Sequence, residues 1–318
     1  FRLLKYSMRH LLLILVCFTL FFVASAQEQA AIDSVTKARR VRLVASIFGG
    51  SYGASFISLN KAWYANYPRS RFQFYNDGKE WLQMDKVGHF YSSYNLARIS
   101  HKGWAWTGIP EKKAVVLSAL TSVSYLTIIE TMDGFSKNWG WSWYDVTANT
   151  AGVLLWSAQQ LKWKEQKFRL KYSAHYTNYA DPMLQARANN YFGKSIPERF
   201  LKDYNAQTIW LSANIKSIWP ETKVPKWLNI AAGYGIDNTF GGYENKWTVN
   251  NQAASYTYAR PDLQRSRQYY LSIDVDFERI KTNKKWVRGV LTFLNFVKLP
   301  APAISLSNGK LSGSWLYF

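Results

Sequence analysis

Six residues in one stretch of the chain have the types and spacing to do chemistry together: Asp85, His89, Glu130, Asp133, Asp145 and Asn149. Asp85 and His89 are four apart, as are Asp145 and Asn149, so each pair falls on one face of a helix; Glu130 and Asp133, three apart, do the same. All six lie in otherwise apolar, helix-like sequence. Burying an unpaired neutral polar group costs roughly 2–7 kcal/mol, so these groups must face one another, water or a ligand. As chemistry, Asp85 would orient His89 and leave one imidazole nitrogen free as a base or metal ligand. His89, Glu130 and Asp133 would supply imidazole and hard oxygen ligands, a set suited to Zn, Mn or Fe rather than to a soft metal. As structure, Asp85 would cap a helix start and His89 would be a satisfied core histidine. Glu130 and Asp133 would then mark a helix end, and Asp145 would cap the next helix. Both readings are open on the sequence alone. No His-Glu-x-x-His and no complete phosphate-cradling glycine loop ending in Lys-Ser/Thr occurs, so no cofactor is assigned.

If three helices pack as a bundle, the six side chains converge on one polar centre, and the surrounding sequence is read for such helices. Val41–Leu59 is the first, with Gly49-x-x-x-Gly53 and Gly50-x-x-x-Ala54 offering a small face for close helix approach. After the turn signal Asn76-Asp77-Gly78, a second helix runs from about Lys79 to Ser100 and carries Asp85 and His89; His101-Lys102-Gly103 ends it. Pro110-Glu111 opens a third. Its Ala114–Ile129 run has no charge and scattered Ser and Thr, so it is buried all round or faces lipid. Sixteen residues reach about 24 Å, short of the ~30 Å hydrocarbon thickness of a bilayer. A fourth helix spans Trp143 to Gln160, after an aromatic turn at Trp139–Trp143.

The basic, aromatic-interleaved stretch from Lys162 to Lys171 marks a boundary between a helical domain over 37–161 and a mixed region over 162–318. In that region Tyr269, Leu271, Ile273, Val275 and Phe277 alternate with polar residues in period two, the clearest strand in the chain. Gln207–Ile218 and Ala303–Leu306 are weaker strands. Gly233-Tyr234-Gly235 and Gly241-Gly242 are turn or close-approach sites, and Trp286–Val297 is a short helix. The ending Trp315-Leu316-Tyr317-Phe318 is similar to outer-membrane barrel termini, but the alternating segments are too few for an eight-stranded barrel. The fold class is therefore α+β: an N-terminal bundle of about four helices and a C-terminal region containing antiparallel strands.

Composition and the N-terminus bear on location. The net charge is +20, with 15 Trp and 21 Tyr among 318 residues. A basic balance points to nucleic acid, an anionic membrane or a polyanionic glycolipid, and the aromatic excess suits a surface meeting lipid headgroups. Met8-Arg9-His10, the apolar run Leu11–Val23 and Ala24-Ser25-Ala26 together form a signal peptide over residues 1–26, with 1–7 upstream read-through and 27–36 a polar leader. Export removes nucleic acid from the partners. Cys17, the only cysteine, follows Leu15-Val16 rather than the small residues of a lipobox, so the mature chain has no thiol for a disulfide, a thiolate site or a nucleophile.

Asp85-Lys86-x-x-His89-Phe90, Glu130-x-x-Asp133 and Gly140-Trp141-Ser142-Trp143-x-Asp145, ahead of a Gly152-containing helix, carry a resemblance. Over Asp85–Trp156 the chain resembles the YfiM-like family of predicted periplasmic or outer-membrane lipoproteins, whose function is unknown. More distantly it is similar to VanZ-type membrane proteins. These resemblances imply helices packed within or against a membrane and carry over no reaction. The chain departs from the first family in lacking a lipobox cysteine and in its long extension, which resembles the longer form found in Bacteroidetes-type bacteria. The expected function is that of an exported envelope protein, non-catalytic and membrane-associated, binding anionic lipid or glycolipid. An envelope enzyme acting on lipid or cell-wall precursors through His89 and its carboxylates is the alternative, and a periplasmic scaffold for another envelope protein is a third.

Overall fold

The computed structural model describes residues 32–60, 64, 68–250 and 255–318. The signal peptide and residues 27–31, half of the polar leader, lie outside the described residues. The chain divides into two compact units. Of the described residues, the first comprises those up to Asn76, His89–Gln166 and Ile280–Leu294; the second comprises those in Asp77–Gly88, Lys167–Arg279 and Asn295–Phe318. Helices lead and an antiparallel sheet follows, the α+β order read from the sequence.

The first unit is built on α1 (Ser34–Leu59), α2 (Met84–Trp106), α3 (Glu111–Gly134) and α4 (Trp143–Trp163), with a short helix Lys285–Leu294. The opening turn of α2 belongs to the second unit. Asp33 caps α1 by accepting the amides of Val35 and Thr36 at 2.9 and 2.8 Å, so helix begins inside the stretch read as leader. α1 packs through Val44 and Phe48 against Trp104 and Ala114, and Tyr52 meets Tyr125 with ring centroids 4.5 Å apart. Its glycines do not make the close helix approach expected of them: a Cβ at Gly49, Gly50 or Gly53 would have no atom within 4 Å. α2 continues past His101-Lys102-Gly103 to Trp106. The reason is tertiary: Trp104 is buried in that cluster and His101 Nε2 lies 3.1 Å from Glu111 Oε1 on α3.

α3 buries Ala114, Ser118, Ser122, Leu126, Glu130 and Gly134, a row spaced every four residues. Such a row is one ridge on a helix surface, here made mostly of small side chains. Ser122 Oγ donates to the carbonyl of Ser93 on α2 at 2.9 Å, and Trp104 Nε1 donates to Thr121 Oγ1 at 3.1 Å. Away from this ridge the helix is apolar and uncovered, with Val116, Leu120 and Ile128 between 42 and 56% exposed. The uncharged run is therefore not buried all round.

The second unit holds β1 (Phe168–Ala174), α5 (Pro182–Tyr191), α6 (Ile196–Lys202), β2 (Gln207–Asn214), β3 (Leu228–Asp237), β4 (Lys246–Asn250), β5 (Ser255–Ala259), β6 (Ser266–Val275), β7 (Ala301–Ser307) and β8 (Lys310–Tyr317). Six strands form one antiparallel sheet in the order β1-β2-β3-β6-β7-β8, and β4 pairs with β5 as a separate hairpin. Register places Lys171, Trp210, Gly233, Tyr270 and Ser305 in one row, and Arg169, Ser212, Ala231, Ser272 and Ala303 in the next. This face is largely buried and mixed, with the apolar cluster Trp210, Ala231 and Tyr270 beside paired charges. Lys171 Nζ pairs with Asp274 at 2.8 Å, and Arg169 pairs with Asp276 at 2.9 Å and Glu278 at 2.7 Å. Burial pushes the Asp276 carboxyl up, but Arg169, Asn295 and Arg279 outweigh it and hold the group below its usual range. Tyr317 of β8 reaches back to Thr208 of β2 at 3.0 Å, so the sheet curls around this interior.

Two sequence readings change here, and a third, left between a turn and a close approach, is decided. The basic stretch ending at Lys171 is not only a boundary, because β1 begins within it at Phe168. Gly233-Tyr234-Gly235 lies in the middle of β3 and not at a turn. A Cβ at Gly233 would sit 2.7 Å from Cε3 of Trp210, so the close approach read there is real. The candidate strand Gln207–Ile218 stops at Asn214, whose side chain caps a helical turn over Ile215–Ile218.

Candidate functional site: the polar centre of the helical unit

Within the first unit, three helices bring four candidate residues together. His89 on α2 presents Nδ1 to Asn149 Oδ1 of α4 at 3.1 Å and to Glu130 Oε1 of α3 at 3.6 Å. Its Nε2 faces Asp145 Oδ1 of α4 at 3.7 Å. Glu130 is 1% exposed, Asp145 and Asn149 are buried, and the His89 side chain is 20% exposed. The ring thus has a carboxylate on each edge. An imidazolium has an N–H for each of them, whereas a neutral ring offers one donor and one acceptor.

Local sequence explains how each group arrives. Ser142 caps α4 by accepting the Asp145 amide at 3.1 Å, so Asp145 is not the cap, and its carboxylate points inward from the first turn toward His89. Asn149 follows one turn later, and Gly152 next to it lets α4 press on α2. A Cβ at Gly152 would fall 2.1 Å from Ser93 Oγ and 2.3 Å from the carbonyl oxygen of Phe90. Glu130 ends the buried ridge of α3 just before Gly134, where a Cβ would strike the Phe72 ring at 2.4 Å. The loop beyond α3 is fixed by Gln73, whose Nε2 donates to the carbonyls of Ser136 and Trp139 at 2.8 and 2.6 Å.

Asp133 takes a different partner. The Tyr64 hydroxyl donates to its Oδ1 at 2.8 Å. Burial, with the charges of Asp133 and Glu130, raises the Tyr64 phenol above its ordinary range. Tyr64 is thus a neighbour of this centre that the sequence reading missed; only its place in an aromatic cluster before Pro68 hinted at a role. Asp85 stands one turn ahead of His89 on α2, in the part of the helix assigned to the second unit. There its carboxylate accepts from Lys86 Nζ and from the Tyr204 hydroxyl, each at 2.8 Å. The turn leading into it, Trp81-Leu82-Gln83, has positive φ angles of 47, 49 and 69° without a glycine, a costly geometry held by the Trp81 amide donating to Gly242 at 2.7 Å. Gly49-Gly50-Ser51-Tyr52-Gly53 spells Gly-x-Ser-x-Gly, but it lies inside α1 rather than on a strand–turn–helix elbow, so Ser51 is not set up as a nucleophile.

A helical bundle closed around buried carboxylates, an imidazole and an amide is the architecture of this region, and the comparison with known families falls on the same helices. Residues 73–158 match the model of a family described as "Predicted periplasmic lipoprotein (DUF2279)". No curated protein and no solved structure matches the chain. The matched segment contains all six candidate residues, and its description agrees with the signal-peptide pattern at the start of the chain. The chain is an exported envelope protein, of the periplasm or associated with the membrane that bounds it.

Proposed function

We propose that this protein is a non-catalytic, membrane-associated component of the cell envelope that binds anionic lipid or glycolipid. One observation carries the reading. α3 is long and apolar enough to cross a membrane, yet only 28% of its most apolar window is buried. A core helix of a water-soluble bundle would be covered on nearly all sides. Here Val116, Leu120 and Ile128 are presented outward while Lys112 and Lys113 stand exposed at the helix start. Apolar side chains next to lysines suit acyl chains next to anionic headgroups. In this reading the His89 centre holds α2, α3 and α4 in place. Vesicle flotation of the full chain is the test. Co-flotation with phosphatidylglycerol vesicles at low salt, reduced by Leu120→Asp at its exposed site, is expected. Recovery wholly in the soluble fraction at low salt would overturn the proposal.

A second reading, an envelope enzyme acting on lipid or cell-wall precursors, is favoured by the partial exposure of His89 between Glu130 and Asp145. Metal analysis of purified protein and of His89→Ala decides it together with an envelope-stress assay. No bound metal and no phenotype in the variant would leave it without support.

A further inference from the structure

The six-stranded sheet holds paired charges on its covered face and exposes apolar side chains over much of the other. Its covered face carries Arg169, Lys171, Ser212, Asn214, Asn229 and Asp274 beside the Trp210–Ala231–Tyr270 cluster, whereas its opposite face is mostly apolar, buried at Leu170, Ile209 and Ile236 and exposed from Leu211 across β3, β6 and β7. Register sets Leu170, Leu211, Ala232, Leu271 and Ile304 in one row, Ile230 and Ile273 in the row on one side of it, and Ile209, Tyr234, Tyr269, Leu306 and Leu311 in the row on the other; Leu170 and Ile209 are buried, so the exposed part of the face begins at Leu211. Leu211, Ile230, Tyr269, Leu271, Ile273 and Ile304 are all exposed, as is Trp315 at 90%. A soluble antiparallel sheet turns its apolar side chains to the core and its polar ones to water. Inversion of that pattern, with paired charges inside, is the arrangement used where the surroundings are hydrocarbon.

We infer that the outward face of this sheet is seated in the acyl layer of one leaflet of an envelope membrane. The inference rests on the membrane-association reading above and names a surface for it. Three observations favour lipid over a second copy of the chain. The apolar band is short: Tyr269 and Ile273 are four residue steps apart, about 13 Å at the strand rise of roughly 3.3 Å. That is about half of the ~30 Å hydrocarbon thickness, enough to enter one leaflet and too little to cross both. The band is also bordered as lipid-facing surfaces are. Exposed Trp219 and Trp227, with exposed Lys223 and Lys226, occupy the β2–β3 connection at the end of the sheet where β8 finishes. At the opposite end Tyr234 and Tyr269 pair with ring centroids 5.7 Å apart. Aromatic rings and lysines at the edge of an apolar band match the headgroup region of an anionic bilayer. Finally, Ile230, Leu271, Ile273, Ile304 and Trp315 line a shallow groove of about 540 Å³ that is wide open along the face, a shape for mobile chains rather than for a fitted protein surface.

Site-specific fluorescence on the full chain tests this. The sequence has one cysteine, Cys17 in the signal region, so in a Cys17→Ser background Ile273→Cys gives a single labelling site on the face and Glu244→Cys one on an exposed loop. Each is labelled with a polarity-sensitive dye and mixed with phosphatidylethanolamine–phosphatidylglycerol vesicles carrying nitroxide quenchers on their acyl chains. Expected are a blue shift and quenching at position 273 and neither at 244. Ile273→Asp, at an exposed site, is expected to lower vesicle binding at least tenfold while leaving the near-UV circular dichroism unchanged. If the chain floats with vesicles but the dye at 273 does not respond, another surface binds lipid and this inference fails while the broader reading stands. If the chain does not float at all, both fail. A blue shift without vesicles together with a doubled mass in light scattering shows a second copy on the face and overturns the inference.

Discussion

Oδ1 of Asn149 lies 3.1 Å from Nδ1 of His89 and ties α4 to α2 at the centre of the helical unit. Removing one partner of a buried polar pair leaves the other without its hydrogen bond, at a cost of about 1–3 kcal/mol. Asn149→Leu, close in volume, is therefore expected to lower unfolding stability by about that amount, read from urea denaturation. Asn149→Asp keeps an acceptor but adds a third carboxylate beside Glu130 and Asp145, so it is expected to restore only part of the loss. Equal stability of Asn149→Leu and the native chain would show that this contact does not hold the helices.

The same substitution at two glycines is expected to act in opposite directions. At Gly49, in the exposed middle of α1, a methyl group meets nothing within 4 Å. Gly49→Ala should stabilise by about 0.4–1 kcal/mol through the unfolded chain's lost freedom. At Gly152 the methyl group would overlap Ser93 Oγ and the backbone oxygen of Phe90. The Ser93 hydroxyl can rotate away, but the carbonyl cannot, so α4 must retreat from α2. Overpacking of this kind costs about 1–3 kcal/mol, which exceeds the helix-propensity gain of roughly 0.5–1 kcal/mol. Thermal denaturation of the two single variants checks the signs. A stabilised Gly152→Ala would mean the helices are not in contact there.

Much of the helical unit was legible because its signals are local. Pro110-Glu111 starts α3 and the Asp145/Asn149 spacing puts both side chains on one face of α4, as read. Those spacings also pointed to a polar centre, yet they could not rank its members. Asp133 and Glu130 are neighbours in sequence, but Tyr64 bonds Asp133 while Glu130 faces the His89 ring, and sequence spacing contains no term for that distinction. The end of α2 was misplaced for a related reason: His101-Lys102-Gly103 reads as a stop until Trp104 and Glu111 supply tertiary partners. The sheet was harder to read. β6 alternates openly, whereas β1 hides in a basic run whose Arg169 and Lys171 are buried partners of Asp276 and Asp274. A charge run is normally taken as a solvated surface, and here its counter-ions lie about a hundred residues downstream in the chain.

That buried ion network makes the sheet unit sensitive to alkaline pH through Lys298. Its ammonium sits 4.5 Å above the Trp210 ring and is almost wholly buried. Burial pushes it down to about 8, with Asp274 pulling the other way and Lys171 adding to the depression. The ordinary lysine value is 10.5. Between about 8 and 10.5 the unfolded chain therefore binds more protons than the folded one at this position, and stability contributed here rises with pH across that window. Below the window both states are protonated and the folded state bears the full penalty. Lys298→Met removes the charge and loses a cation–π contact, so the variant should exceed the native chain at pH 7 by on the order of 2 kcal/mol. The excess should shrink steadily toward pH 10. Urea denaturation of both proteins at pH 7, 8.5 and 10 reads this directly. A difference that stays constant with pH would show that Lys298 does not titrate in the folded interior.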